Sequence, residues 1–162
     1  MTFINVPRDI FSKMHVVSWN VAGFRTTYDR IKFRFGGIRA FMQKLQCDIL
    51  CLQEVKLGED QITFDSIEQK DESLDFFFSW SGKKNGVNGV ATIARRGLTL
   101  SATRALGGPV AGTPHDSTGR FLQTDHGDFV LLNLYVHNDG REEERQVFVI
   151  HDCKATTRSM FR

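Results

Sequence analysis

The chain of 162 residues predicts a layered α/β fold built on a mixed sheet. Three observations predict it. Asp48 opens the apolar run Ile49-Leu50-Cys51-Leu52, the mark of a strand covered on both faces. Phe35, Ile38, Phe41, Met42 and Leu45 recur at helical spacing. Arg120–Thr124 and Phe129–Tyr135 flank His126-Gly127 as an antiparallel hairpin.

Taken in order, residues 1–14 form an irregular lead-in and His15–Trp19 reads as a strand. Val21–Asp29 reads as a loop. The helical pattern begins at Ile31, but Gly36-Gly37 sits inside it and weakens a helix there, so a firm helix is expected only from about Gly37. After the Asp48–Leu52 strand, Asp60–Glu68 predicts a short helix. Phe76–Trp80 and Val90–Arg95 predict strands, separated by a turn-rich loop with Lys83-Lys84 and three glycines. Leu98–Arg104 predicts a further strand, Leu106–Ser117 a Gly/Pro loop, and Glu142–Ile150 a helix. No repeat, linker or low-complexity tract divides the chain, and its length suits one domain.

Composition narrows the function classes little. The chain is 41% hydrophobic and 25% charged, ordinary for a globular protein, and its net charge of +2 does not by itself identify a nucleic-acid binder. Three cysteines without framework spacing argue against a disulfide-stapled secreted domain. Cys47 and Cys51 have no histidine at ligand spacing, which argues against zinc, and Cys51 reads as a small core residue. No apolar stretch is long enough to span a bilayer, and the first residues carry no secretory signal pattern. The expected compartment is intracellular and reducing.

The chemistry-bearing residues stand at strand ends. Asn20 closes the first strand and Glu54 follows the second, so parallel neighbours would bring an amide and a carboxylate to one sheet edge, where α/β folds place their chemistry. Both groups offer hard oxygens of the kind Mg²⁺ accepts. Lys56 would steady that carboxylate or meet a phosphate. Tyr135 ends another apolar run with a hydroxyl able to donate to a phosphate oxygen. Asn138 and Arg141 follow it, and Arg matches phosphate with paired hydrogen bonds. In Ser117-Thr118-Gly119-Arg120 the glycine permits close backbone approach, and Arg120 would reach a phosphate. For each residue alone there is a blander reading: a turn cap, a solvated charge, a packed aromatic.

Ser18-Trp19-Asn20, Cys47–Lys56, Asn88–Thr92, Gly119-Arg120 and Leu132–Val136 occur in the order found in the exonuclease III-type apurinic/apyrimidinic (AP) endonucleases, which the chain resembles from about His15 to Phe148. These belong to the endonuclease/exonuclease/phosphatase superfamily. Gly119–Asp125 and Glu144–Phe148 look most like the AP endonuclease 2 branch. The resemblance implies a partial four-layer α/β sandwich with a mixed, mostly antiparallel sheet. It implies Asn20 and Glu54 at a Mg²⁺ site (Mn²⁺ as the substitute), Tyr135 on the scissile phosphate, and Asn138 and Arg141 toward DNA; Lys56 and Arg120 join them as the phosphate-facing candidates read from the residues themselves. The implied partner is DNA with abasic sites or 3′ blocks, and the implied compartment is the nucleus, with the mitochondrion second.

Two departures from the family pattern stand out. Ala22 replaces an acidic residue found near the metal in several relatives, and neither a Gly-Asp-x-Asn nor a Ser-Asp-His motif occurs. The segment 149–162 no longer resembles the family and reads as an aberrant tail. The expectation is an N-terminal part of a DNA repair nuclease domain, nearly inactive without its water-activating aspartate. The competing expectations are a non-catalytic nucleic-acid-binding fragment and, behind it, another phosphoesterase of the superfamily.

Overall fold

The computed structural model describes residues 14–58, 71–81, 87–104 and 118–136. Seven strands and two helices occupy them: β1 (Val16–Asn20), α1 (Phe24–Phe35), α2 (Ile38–Leu45), β2 (Ile49–Gln53), β3 (Leu74–Ser79), β4 (Val90–Arg95), β5 (Ser101–Thr103), β6 (Phe121–Asp125) and β7 (Val130–Leu134). One sheet has the order β1-β2-β4-β3 and a second has the order β5-β6-β7. Among the described strands only β1 and β2 run parallel, with Asn20 opposite Gln53; the other pairings are antiparallel. The fold is α/β with mixed and antiparallel sheets, as the sequence predicts. The expected helices at Asp60–Glu68 and Glu142–Ile150 lie outside the described residues.

Alternation along each strand builds the layers. Leu50, Leu52, Ala91 and Ile93 are buried with Phe24, Ile31, Ile38 and Met42 on the helical face of the first sheet. Ile49, Cys51 and Ala94 face the other way and meet Leu98, Phe129 and Leu131 of the second sheet's side. Strand β2 is therefore covered on both faces, which is why its sequence is continuously apolar. Cys51 is a core residue, its thiol pushed up to about 11 by burial.

The segment expected as a loop, Val21–Asp29, instead holds the first turns of α1. Nothing local announces that start: Gly23 occupies the cap position, no side chain caps the helix, and its first turn carries no acid. Tertiary contacts supply what the sequence lacks. The Phe24 N–H donates to the Val55 carbonyl at 2.9 Å, and the Thr27 hydroxyl donates to the Val21 carbonyl at 3.2 Å. Phe24, Tyr28 and Ile31 are buried along one helix face. Gly36-Gly37 divides two helices rather than weakening one. Gly36 ends α1 in the left-handed conformation at φ 85°, with its N–H returning to the Lys32 carbonyl. The expected strand Leu98–Arg104 shrinks to Ser101–Thr103, because its first residues make a turn in which Leu98 N–H bonds Arg95 O.

Candidate active site

The C-terminal ends of β1, β2, β3 and β7 and the N-terminal ends of β4 and β6 meet at one rim. Backbone hydrogen bonds join the loops there: Val21 N–H to Gln53 O at 3.0 Å, Val55 N–H to Gly89 O at 3.0 Å, Lys56 N–H to Asn88 O at 2.7 Å, and Tyr135 N–H to Arg120 O at 2.9 Å. Left-handed backbone concentrates at the same place. Ala22, Glu54, Lys56 and Asn88 all have φ between 51° and 72°, a sparsely populated region for residues with a Cβ. Strict alternation would send Glu54 to the helical face beside Leu52. Its φ of 53° turns it onto the rim instead.

Glu54 is the centre of the arrangement. Asn20 Nδ2 donates to Glu54 Oε1 at 2.7 Å, and the Tyr135 hydroxyl donates to the same oxygen at 3.0 Å. Lys56 Nζ pairs with Glu54 Oε2 at 3.0 Å. The hydrogen bond from Asn20, then those from Lys56 and Tyr135, lower the Glu54 carboxyl from 4.5 to about 2. It is thus ionised throughout the neutral range and a poor proton acceptor there. Burial, reinforced by the Glu54 carboxylate, raises Tyr135, so the phenol keeps its proton and remains a donor.

Asn20 is fixed at its other end as well, since its Oδ1 accepts from the Ala22 N–H at 3.1 Å. The small residue at position 22 therefore contributes through its backbone. In this arrangement Asn20 offers its nitrogen to Glu54 and orients the carboxylate. Arg120, expected to reach outward, is turned inward: it donates to Tyr135 O at 3.1 Å and to Asn88 Oδ1 at 2.8 Å, and its guanidinium carbon lies 4.5 Å from the Tyr135 ring centroid. Asn138 and Arg141 lie outside the described residues.

A second set of polar residues supports the rim and was not singled out from sequence. Asn133 is buried, with Nδ2 donating to Ala91 O at 2.7 Å and Leu52 O at 3.3 Å. Its Oδ1 accepts from Gln53 Nε2 at 2.8 Å, and Gln53 also donates to Ser18 Oγ at 3.0 Å. Asn133 lies in β7 and Tyr135 directly follows its last residue, so the tie between the sheets stands two residues from the phenol. The signal was present: Asn133 is the lone polar residue inside Val130–Leu134.

An ionised carboxylate, an amide oxygen and water make a hard donor set that suits Mg²⁺, which takes one or two carboxylates and keeps several waters. Among the described residues no group of three or more His, Cys, Asp and Glu gathers, and Glu54 is the carboxylate on which the hydrogen bonds of Asn20 and Tyr135 converge.

The sequence profile of the Endonuclease/Exonuclease/phosphatase family matches residues 17–156. The chain is 27% identical over 137 residues to a DNA-(apurinic or apyrimidinic site) endonuclease of Dictyostelium discoideum, which covers 85% of the chain and 34% of that protein. It is 28% identical to DNA-(apurinic or apyrimidinic site) endonuclease 2 of Mus musculus, over 83% of the chain and 33% of that protein. The solved structure of the AP endonuclease LMAP from Leishmania major superposes with a TM-score of 0.62 at 26% identity, over 98% of the chain and 52% of that structure. The chain thus spans a third to a half of the length of these relatives.

Proposed function

The chain belongs to the endonuclease/exonuclease/phosphatase family, and from that premise we propose that it is part of a Mg²⁺-dependent DNA repair nuclease acting on abasic sites and blocked 3′ ends. The observation that carries this reading is the convergence of Asn20 and Tyr135 on the ionised Glu54 at one rim. Glu54 would hold the divalent ion, with Asn20 fixing its orientation and its own oxygen close by. When bound, such an ion polarises a phosphoryl oxygen and offsets developing negative charge. Tyr135, kept protonated, would donate a hydrogen bond to the scissile phosphate. Arg120 holds the Tyr135 backbone and ring in place, while Lys56 balances Glu54 and becomes available to a phosphate when the carboxylate takes up a cation.

Water activation calls for a base other than Glu54. With its proton affinity lowered, Glu54 is unsuited to it, and the sequence carries no Gly-Asp-x-Asn motif. Loss of a general base commonly costs about 10²–10⁴ in rate. The 162-residue chain is therefore expected to incise an abasic-site duplex at least about 10²-fold more slowly than a full-length relative, in Mg²⁺ or Mn²⁺. The residual cleavage should vanish in Glu54→Gln and fall in Tyr135→Phe. Cleavage that survives Glu54→Gln at the wild-type rate would overturn the reading. The low proton affinity of Glu54 favours one second reading, a non-catalytic DNA-binding protein. Salt-dependent binding with no metal-dependent cleavage would select it. The nucleus is the working compartment we propose for either.

A further inference from the structure

Resting on the nuclease reading, we propose that Arg104, laid over Trp80, is a second contact for the phosphodiester backbone of bound DNA, outside the Glu54 centre. The Arg104 guanidinium carbon lies 3.9 Å from the Trp80 ring centroid. Both residues stand at the same rim as Glu54. Trp80 follows the end of β3, where Ser79 pairs with Val90 at the start of β4. Arg104 follows the end of β5, where Thr103 pairs with Gln123 near the start of β6.

One close backbone approach links the two places. The backbone of Gly119 lies so close to Trp80 that a Cβ there would stand 2.3 Å from the Trp80 carbonyl carbon. Arg120 comes next in sequence and lies over Tyr135, whose hydroxyl bonds Glu54. Two arginine–aromatic pairs thus sit side by side on one rim, one on each flank of the Gly119–Trp80 contact. Their donors go different ways. Arg120 is directed inward to Tyr135 O and Asn88 Oδ1. Arg104 is exposed, and among the described residues no carboxylate pairs with it.

A guanidinium resting on an indole keeps its N–H edge for other acceptors and loses less freedom when it takes one. A run of phosphates is the acceptor that matches a planar fork held at a fixed place along a strand path. The Glu54–Tyr135 centre handles one phosphate; Arg104 would take another farther along the same strand and set its course over the rim.

The test is DNA binding by the whole 162-residue chain in chelator, which separates binding from turnover. The probe is a labelled duplex with a tetrahydrofuran abasic-site analogue, titrated across about 50 to 200 mM salt. Removing one phosphate contact should lower the magnitude of the slope of log K against log salt by about 1 in Arg104→Gln. Arg104→Lys should keep the slope, since its charge remains, and bind less tightly. Arg96, paired with Asp75 beyond the opposite end of β4, is the control, and Arg96→Gln should leave the slope unchanged. An unchanged slope in Arg104→Gln, with or without a lower melting temperature, would make Arg104 a clasp between the sheets and overturn the proposal alone. An equal fall in Arg96→Gln would overturn it too, by showing a diffuse charge effect. A wild-type chain with no salt-dependent DNA binding would remove both the contact and the nuclease reading.

Discussion

Asn133 carries more of the rim than its place in an apolar strand suggests. Its amide bonds the carbonyls of Ala91 and Leu52 across the gap between sheets and accepts from Gln53 in return. Asn133→Ala would leave these buried groups without that partner, which commonly costs about 1–3 kcal/mol. We expect a loss of that size in urea unfolding, and a near-neutral result would show that water replaces the amide. Glu54 permits a prediction with a sign. Its folded pKa of about 2 lies below its ordinary 4.5. A group depressed in this way stabilises the fold fully above the ordinary carboxylate range and loses that contribution as pH falls toward the folded value. In chelator, wild type should melt above Glu54→Gln at neutral pH, and the gap should close between roughly pH 5 and 2. A gap that widens on acidification would contradict the hydrogen bonding seen here.

At the scale of elements, what the sequence made legible follows what burial alone decides. Strands β2 and β4 could be read because both faces are covered, so their apolar runs are unbroken. The convergence of Asn20, Glu54 and Tyr135 could be read because each is a polar group at or just past the end of a strand. Helix α1 could not be, since its first turn is set by Val55 and Val21 across the fold rather than by a cap of its own. The inward turn of Arg120 was equally hidden, because it depends on Asn88 and Tyr135 from two other elements. Gly119, by contrast, could be read for its close approach, and its role can be tested. With φ at 68° and the Trp80–Ser81 backbone in the space a Cβ would fill, Gly119→Ala must push β6 away from the end of β3. Gly97 has a similar φ of 81° but open space around it. Gly97→Ala should therefore cost only about 1–2 kcal/mol of backbone strain. Gly119→Ala should cost clearly more and weaken DNA binding with it. Equal melting temperatures for the two variants would refute the steric argument.

Over the whole molecule, the buried faces and the bare edges pull in different directions. The core between α1, α2 and the first sheet is well formed, with Ile38, Leu50 and Ile93 fully buried. Strand β1 is different: among the described residues it pairs only with β2, and four of its five residues are exposed. Trp19 on that strand lies 5.9 Å from Phe41 by ring centroids, and Phe41 lies 5.2 Å from Phe35. Phe33, 91% exposed, lines one groove with Trp19, Phe35 and Phe41. An edge strand with unpaired backbone groups beside an aromatic patch is the usual starting point for association between chains. The flanking Arg30 and Arg34 oppose it by charge repulsion, which salt weakens. The isolated chain should therefore gain mass with concentration in sedimentation, and more so at high salt. Phe33→Lys removes exposed apolar area and adds charge without touching the core, so it should shift the distribution toward monomer at an unchanged melting temperature. A wild-type chain that stays monomeric at every concentration and salt would show that this edge and patch are covered within the chain itself.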